Sequence, residues 1–342
     1  MALPASGQIT LNQVNVELGN SGTAQIGLGD SAVRGLFDVA TGQITMANGY
    51  GKSNVFEVVI SSNRNNISSL SSYATSNGWD GSQALQLTIN SGVYLYGNQT
   101  GGSSANKPNN TVGIKAGDPA LVVDVANAII NNSGYLMGQG GENTFYQSSG
   151  IGDRPNGGIG ITIKSAGVTI INNSGGFIAA GGGTGGNGSA QTSGGGAGGG
   201  RGGPGYPSGS GGSAGGIGAS GGNGSSGGNG GGAGGGGGAG MSGPPGWDLR
   251  AGGGSGRILP GVGGAAQSGY RLGGAGGSAG NVGGNGQGSG IASGSGGGGW
   301  GADGGTYDGG GPFGGAGGKA IWPNTGQSYT LTNNGTIYGA TS

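Results

Sequence analysis

The side chains best suited to recognition or chemistry in this chain are few, and they are bunched. Tryptophan, tyrosine, arginine and aspartate recur in four short clusters flanked by glycine. The first runs over residues 201–206, from an arginine to Tyr206, with Pro207 behind it. The second is Met241-Ser242-Gly243-Pro244-Pro245-Gly246-Trp247-Asp248-Leu249-Arg250. The third is Arg257-Ile258-Leu259-Pro260, leading to Tyr270-Arg271-Leu272. The fourth is Trp300-Gly301-Ala302-Asp303, then Thr306-Tyr307-Asp308 and Pro312-Phe313. Trp, Tyr and Arg dominate binding hot spots, and Tyr and Trp give much contact area at low entropic cost. The clusters therefore read as binding loops. Their candidate contact residues are Tyr206, Trp247, Asp248, Arg250, Arg257, Ile258, Leu259, Tyr270, Arg271, Trp300, Asp303, Tyr307, Asp308 and Phe313. A rival use for Trp247, Trp300 and Phe313 is as apolar lids on whatever the glycine builds.

Catalysis finds little support. Without Cys or His there is no disulfide, no zinc-finger site and no Ser-His or Cys-His nucleophile. Asp303 and Asp308 are close in sequence, but a carboxylate pair alone is a weak glycosidase signal. Gly49-Tyr50-Gly51-Lys52-Ser53 lacks the spacing of a phosphate loop. The expectation is a non-enzymatic protein with no cofactor and no metal. Lys plus Arg, 12 residues, balance 12 Asp plus Glu, which leaves no electrostatic footprint for nucleic acid. No apolar run approaches membrane-spanning length. The start carries no secretory signal, so assembly in the cytoplasm of synthesis is expected.

Glycine supplies 102 of 342 residues, and its distribution is uneven. Residues 181–318 hold 70 glycines in 138 positions; the other 204 residues hold 32. Composition alone would make this tract disordered. Against that stands a period of three, as in Gly273-Gly274-Ala275-Gly276-Gly277-Ser278 and Gly221-Gly222-Asn223. Three residues per turn is the repeat of the polyproline II helix, which has no internal hydrogen bonds. Packed side by side, such helices must bond to one another, and glycine permits that approach. The tract is thus expected to form a polyglycine II bundle of short helices, with the third residue facing solvent or a gap and the four clusters as connecting loops. Collagen would need stricter glycine periodicity and far more than 11 prolines. Calcium-binding nonapeptides would need regular aspartates.

Before the tract, a motif recurs at Gln8-Ile9-Thr10-Leu11-Asn12, Gln25-Ile26-Gly27-Leu28-Gly29-Asp30 and Gln43-Ile44-Thr45-Met46-Ala47-Asn48. Asn12 and Asp30 are candidate helix N-caps for helices over 13–18 and 31–37. So short a segment buries little core alone. It reads as a docking module whose apolar residues Ile9, Leu11, Ile26, Leu28, Val33, Leu36, Phe37, Ile44 and Met46 order against a partner. The rival is a small self-contained cap. Residues 55–60 and 84–89 read as strands, with a helix around Leu70, Tyr73 and Ala74.

A second motif recurs four times: Ile89-Asn90-Ser91-Gly92-Val93-Tyr94, Ile130-Asn131-Asn132-Ser133-Gly134-Tyr135, Ile171-Asn172-Asn173-Ser174-Gly175-Gly176-Phe177 and Leu331-Thr332-Asn333-Asn334-Gly335-Thr336. Each places an Asn-Gly-type turn between apolar runs. Such units stack because one alone cannot bury its apolar face. Three copies precede the tract and one follows it. Residues 100–119 and 140–157 read as further loops.

The expected fold is mainly β with irregular structure. It comprises a docking segment over 1–53, a β-rich platform of strand-turn-strand repeats over 54–180, the glycine bundle over 181–318, and a strand pair over 319–342 that returns to the platform. The start, Leu3-Pro4-Ala5-Ser6-Gly7-Gln8-Ile9-Thr10-Leu11 through Gly49-Tyr50-Gly51-Lys52-Ser53, resembles the N-terminal segment of many tailed-phage tail proteins. The rest resembles two groups: the tail-fibre tip adhesins of T-even-like phages, which carry a polyglycine II sandwich, and the glycine-rich end of tail-tip host-specificity proteins. The resemblance implies a virion protein that binds a bacterial surface protein or glycan through the four clusters, and other tail or baseplate proteins through residues 1–53. A purely structural tail protein is the alternative. An ice-binding bundle would want a flat Thr or Ala face and few aromatic loops.

Overall fold

The computed structural model describes residues 3–97, 119–141, 156–183, 185, 274–286, 295–306 and 314–342. They fall into two compact units: Met1–Val58 with Thr75–Gln86, and Val59–Ala74 with Leu87–Ser342.

The first unit is built from short helical turns, α1 Leu11–Glu17, α2 Ser31–Leu36 and a 3-10 turn Met46–Gly49. Thr10, not Asn12, caps α1: its hydroxyl accepts from Gln13 N–H while the Gln13 side chain accepts from Thr10 N–H. The expectation that its apolar residues await a partner is corrected. Ile9, Val33, Leu36 and Phe37 are buried in the unit's own core with Leu3 and Val14. Ile26, Leu28, Ile44 and Met46 pack against it half-covered; of the expected docking residues, Leu11 is 40% exposed. The core closes because the ends of the segment are stitched: Leu3 N–H donates to Lys52 O and Gly51 N–H to Pro4 O. Glu17 is buried, accepting from Ser53 Oγ and Asn54 N–H.

The strands are β1 Val55–Ile60, β2 Arg64–Asn65, β3 Ala84–Ile89, β4 Tyr94–Tyr96, β5 Leu121–Val123, β6 Ile129–Asn132, β7 Tyr135–Met137, β8 Ile161–Ile163, β9 Val168–Asn172, β10 Phe177–Ala179, β11 Ile321–Pro323, β12 Tyr329–Asn333 and β13 Thr336–Tyr338. They form three sheets, ordered β1-β3-β6-β9-β12, β13-β10-β7-β4-β2 and β11-β8-β5. Each sheet takes every third strand or so along the chain, and the described registers are parallel. The chain therefore winds as a three-sided β-solenoid. Windings β6-β7-β8 and β9-β10-β11 each give one strand to each sheet. The Asn-Gly turns do not close hairpins; they turn the chain from the first sheet into the second.

Stacking like on like fills the interior. Leu95, Leu136 and Ile178 form one fully buried column; Leu121, Ile161 and Ile321 form another. In the register of the strands the third copy of the turn motif carries two extra residues between Asn172 and Phe177, where the sequence motif shows one. Ile170, not Ile171, stands opposite Ile130 and Leu331, and Asn172 stands opposite Asn132 and Asn333. A one-residue slip would point every side chain to the wrong face. The buried Asn side chains fix the register: Asn132 Nδ2 donates to Asn172 Oδ1, and Asn172 Nδ2 to Asn333 Oδ1, each at 2.8 Å. After the glycine tract the chain returns with β11 as well as the β12–β13 pair, one strand to each sheet.

Helix α3, Leu70–Ser76, is held by Asp124 just beyond β5. Its carboxylate accepts from Ser69 Oγ at 2.6 Å, Ser71 N–H at 2.8 Å and Ser71 Oγ at 3.0 Å. Burial pushes the acid up, but the bonds from Ser69 and Ser71 outweigh it, leaving Asp124 below its usual value. A depressed carboxylate stabilises above the unfolded value and loses that contribution as pH falls through it. Asp124→Asn is thus expected to lower stability by about 1–2 kcal/mol at neutral pH. Wild type and variant should converge in melting temperature as pH drops below about 4.

Candidate functional site

Each solenoid winding makes its long excursion at the same corner, between the second sheet and the third. Residues 97–120 leave after β4, 138–160 after β7 and 180–320 after β10. Because the flanking strands are in register, the excursions start and finish side by side. Their described glycine-rich ends join one another directly. Residues 180–183 are bonded on four sides: Gly141 N–H donates to Gly182 O, Gly181 N–H to Gly158 O, Gly183 N–H to Ala302 O and Gly318 N–H to Gly181 O. A β-strand bonds to at most two neighbours, so this is a lattice and not a sheet. Farther out, Gly284 N–H donates to Ala275 O, Gly296 N–H to Gly284 O and Gly305 N–H to Gly296 O. A Cβ at Gly157, Gly183 or Gly299 would sit 1.7 Å from a neighbouring carbonyl oxygen.

Side chains clasp this lattice at a few points. Asn285 Oδ1 accepts from both N–H and Oγ1 of Thr306, and Ser295 Oγ donates to Thr306 O at 2.7 Å. Ser295 is fully buried. The third residue of the glycine repeat was expected to face solvent or a gap; Asn285 is exposed and still clasps Thr306, while Ser295 binds adjacent segments from the interior. Asp303 lies exposed, and its carboxylate accepts from Gly317 N–H at 2.7 Å, which ties two glycine segments. Asn156 Oδ1 does the same for Ala316 N–H.

Trp300 is corrected from receptor contact to interior residue. It is fully buried against Tyr96, Met137 and Ala179 on the outer face of the second sheet, with Tyr338 tilted beside it at 6.0 Å between ring centroids. Next to it, Gly301 has φ of 65° and lies so close to the chain that a Cβ would meet Gly339 N at 2.5 Å. Its N–H donates to Ala180 O. Trp300 thus presses the glycine lattice onto the solenoid; among the described residues its indole N–H has no acceptor. Beside this patch Tyr94, Tyr135 and Phe177 stack face to face, with centroids 4.2 and 4.9 Å apart. Burial, reinforced by the Tyr135 hydroxyl, pushes the Tyr94 phenol up to about 12.

The other expected contact residues, Tyr206, Trp247, Asp248, Arg250, Arg257, Ile258, Leu259, Tyr270, Arg271, Tyr307, Asp308 and Phe313, lie outside the described residues. Among the described residues no group of His, Cys, Asp or Glu could hold a metal ion, and no helix is long and apolar enough to cross a membrane.

The parallel β-solenoid sends its excursions out at one corner, and their described ends are bonded together there. The model of the phage tail fibre adhesin Gp38 family matches residues 55–234, more than half of the chain. The chain belongs to that family, and it is a bacteriophage tail protein of the adhesin class. No curated protein and no solved structure matches it.

Proposed function

We propose that this adhesin recognises a host bacterial surface receptor, a protein or a glycan, through the loops that interrupt its glycine tract. The described glycine segments are packed polyglycine II helices, and the receptor is met by the clusters around Tyr206, Trp247, Tyr270 and Tyr307. The observation that carries this reading is the bonding of residues 180–183 to four neighbouring segments. Polyglycine II packing meets that demand, because a helix with three residues per turn directs its N–H and C=O groups around its axis. Glycines whose Cβ would strike neighbouring backbone support the same packing. Residues 1–53 attach the protein to the tail, and no reaction is catalysed. The chain is made in the host cytoplasm and works in the virion.

The test uses labelled protein and a panel of host bacteria. Wild type should bind a susceptible host saturably. A variant with Trp247, Tyr270 and Tyr307 changed to Ala should bind at least about a hundredfold more weakly while melting at the same temperature. Undiminished binding would remove these loops from the receptor contact. Failure of wild type to bind any susceptible host would favour a purely structural tail role.

A further inference from the structure

The turn from the first sheet into the second differs in its last copy by one residue type. Asn90-Ser91-Gly92, Asn132-Ser133-Gly134 and Asn173-Ser174-Gly175 set a serine between asparagine and glycine. The last copy reads Asn333-Asn334-Gly335, with asparagine directly before glycine. Asn333 stands in register with Asn172 and Asn132, so Asn334 takes the place of Ser133. That order has a chemical consequence. A main-chain nitrogen can attack the side-chain amide carbon of the asparagine before it, and glycine, without a Cβ, leaves the approach open. The attack is held back where the side-chain amide or the glycine N–H is already bonded. Asn-Gly occurs at five places among the described residues, and four of them are held. Asn48 Oδ1 accepts from the N–H and hydroxyl of Thr45. Gly78 N–H, after Asn77, donates to Thr75 O. Asn156 Oδ1 accepts from Ala316 N–H, and Gly157 N–H donates to Ala316 O. Asn285 Oδ1 accepts from Thr306, and Gly286 N–H donates to Thr306 O. Asn334 is exposed, and among the described residues neither its side-chain amide nor Gly335 N–H has a partner. The turn is held from one side, because β12 and β13 are the outermost strands of their sheets.

We propose that Asn334-Gly335 is a self-modification site, at which the last turn of the solenoid converts to isoaspartate and aspartate and so loosens the seat of the glycine lattice. The Gly335 nitrogen gives its proton to hydroxide and forms a bond to Asn334 Cγ. The bond from Cγ to Nδ2 breaks, and the departing amide takes a proton from water and leaves as ammonia. Water then opens the cyclic imide. Opening at Cγ gives aspartate; opening at the main-chain carbonyl gives isoaspartate, whose main chain runs through Cβ and Cγ and is one carbon longer. The net change consumes a water and releases an ammonia, with no enzyme and no oxidant. The longer turn cannot keep both of the bonds that flank it, Asn334 N–H to Asn172 O at 2.7 Å and Thr336 N–H to Gly176 O at 2.9 Å. Asn172 Nδ2, which donates to Asn333 Oδ1, is displaced with them. Strand β13 follows at once, and it carries Tyr338 against Trp300 and Gly339 against Gly301. Conversion therefore acts on the contact that presses the lattice onto the solenoid, and the adhesin ages first at its last winding.

The experiment incubates the native full-length chain in warm, mildly alkaline buffer. Mass spectrometry follows each Asn-Gly peptide, and enzymatic methylation marks isoaspartate. Asn334 should convert at least about tenfold faster than Asn48, Asn77, Asn156 and Asn285. In chain unfolded by denaturant all of them should convert at similar rates, because the bonds that hold four of them are gone. Asn334→Ser restores the residue type of Ser133 at an exposed position; it should keep the melting temperature and show no conversion in that turn. Hydrogen exchange on the aged wild type should show β13 losing protection, while the equally aged Asn334→Ser chain keeps it. Conversion at Asn334 no faster than at the four held pairs of the native chain would overturn the site. Complete conversion there with β13 protected as before would overturn the loosening of the lattice seat.

Discussion

Alanine at Gly183 is expected to dismantle the glycine lattice while sparing the solenoid. The new methyl would lie 1.7 Å from Gly315 O and 2.8 Å from Ala316 O. Both obstacles are backbone, so no rotamer change relieves them. The displaced segment also holds two lattice bonds, Gly183 N–H to Ala302 O and Gly298 N–H to Gly183 O. Overpacking in a core typically costs 1–3 kcal/mol, and a collision between main chains belongs at or above about 3 kcal/mol. Hydrogen exchange should show residues 274–286 and 295–306 losing protection, while β6 and β9 keep theirs. Gly35 supplies the control. It lies within α2, and a Cβ there meets nothing within 4 Å. Gly35→Ala should leave stability unchanged or raise it by up to about 1 kcal/mol. Equal tolerance at both positions would show that glycine in this lattice is not a steric requirement.

Trp300→Ala is expected to cost about 3–5 kcal/mol, the range for emptying a buried aromatic site. The void would open between the glycine lattice and the outer face of the second sheet, where Tyr96, Met137, Ala179 and Tyr338 meet the indole. The inner columns of the solenoid are on the other face of that sheet and should stay intact. Thermal unfolding should therefore lose cooperativity, with protease cutting the glycine-rich residues before the strands. Trp300→Phe keeps most of the apolar volume and removes an indole N–H that has no acceptor among the described residues; it should recover more than half of the loss. A Trp300→Ala variant as stable as wild type would return Trp300 to the receptor-facing set.

Some of this architecture is legible in the residues and some is not. The strands over 55–60 and 84–89 and the helix near Leu70 follow from apolar spacing. The stacking of the Asn-Gly units follows from their repetition, since each leaves an apolar face to cover. The register does not follow. Ile170 and Ile171 are both isoleucine, and the parallel pairing with its Asn132–Asn172–Asn333 ladder decides which one faces inward. The first unit shows the same limit. Its repeated motif is visible, yet a segment this short reads as needing a partner until Leu3 and Lys52 are seen to close it. At the candidate site, the clusters stand out because aromatic and charged residues are rare in the glycine tract. Trp300 looks like the others there, because sequence records a residue's type and neighbours but not the face it meets.

By itself, the sequence determined the local rules. It set which segments are apolar enough to pair as strands, where glycine and asparagine let the chain turn, and where no Cβ stands between neighbouring backbones. It also determined that no Cys or His is present for covalent or metal chemistry. The tertiary structure alone decided which segments are neighbours. Residues 138–141, 157–160, 180–183 and 314–318 are far apart along the chain, but the parallel solenoid brings their strands into register and so delivers them to one corner. Backbone hydrogen bonds between glycines carry no side-chain signature, so the sequence permits many such pairings. The solenoid selects one by fixing where each segment leaves and returns.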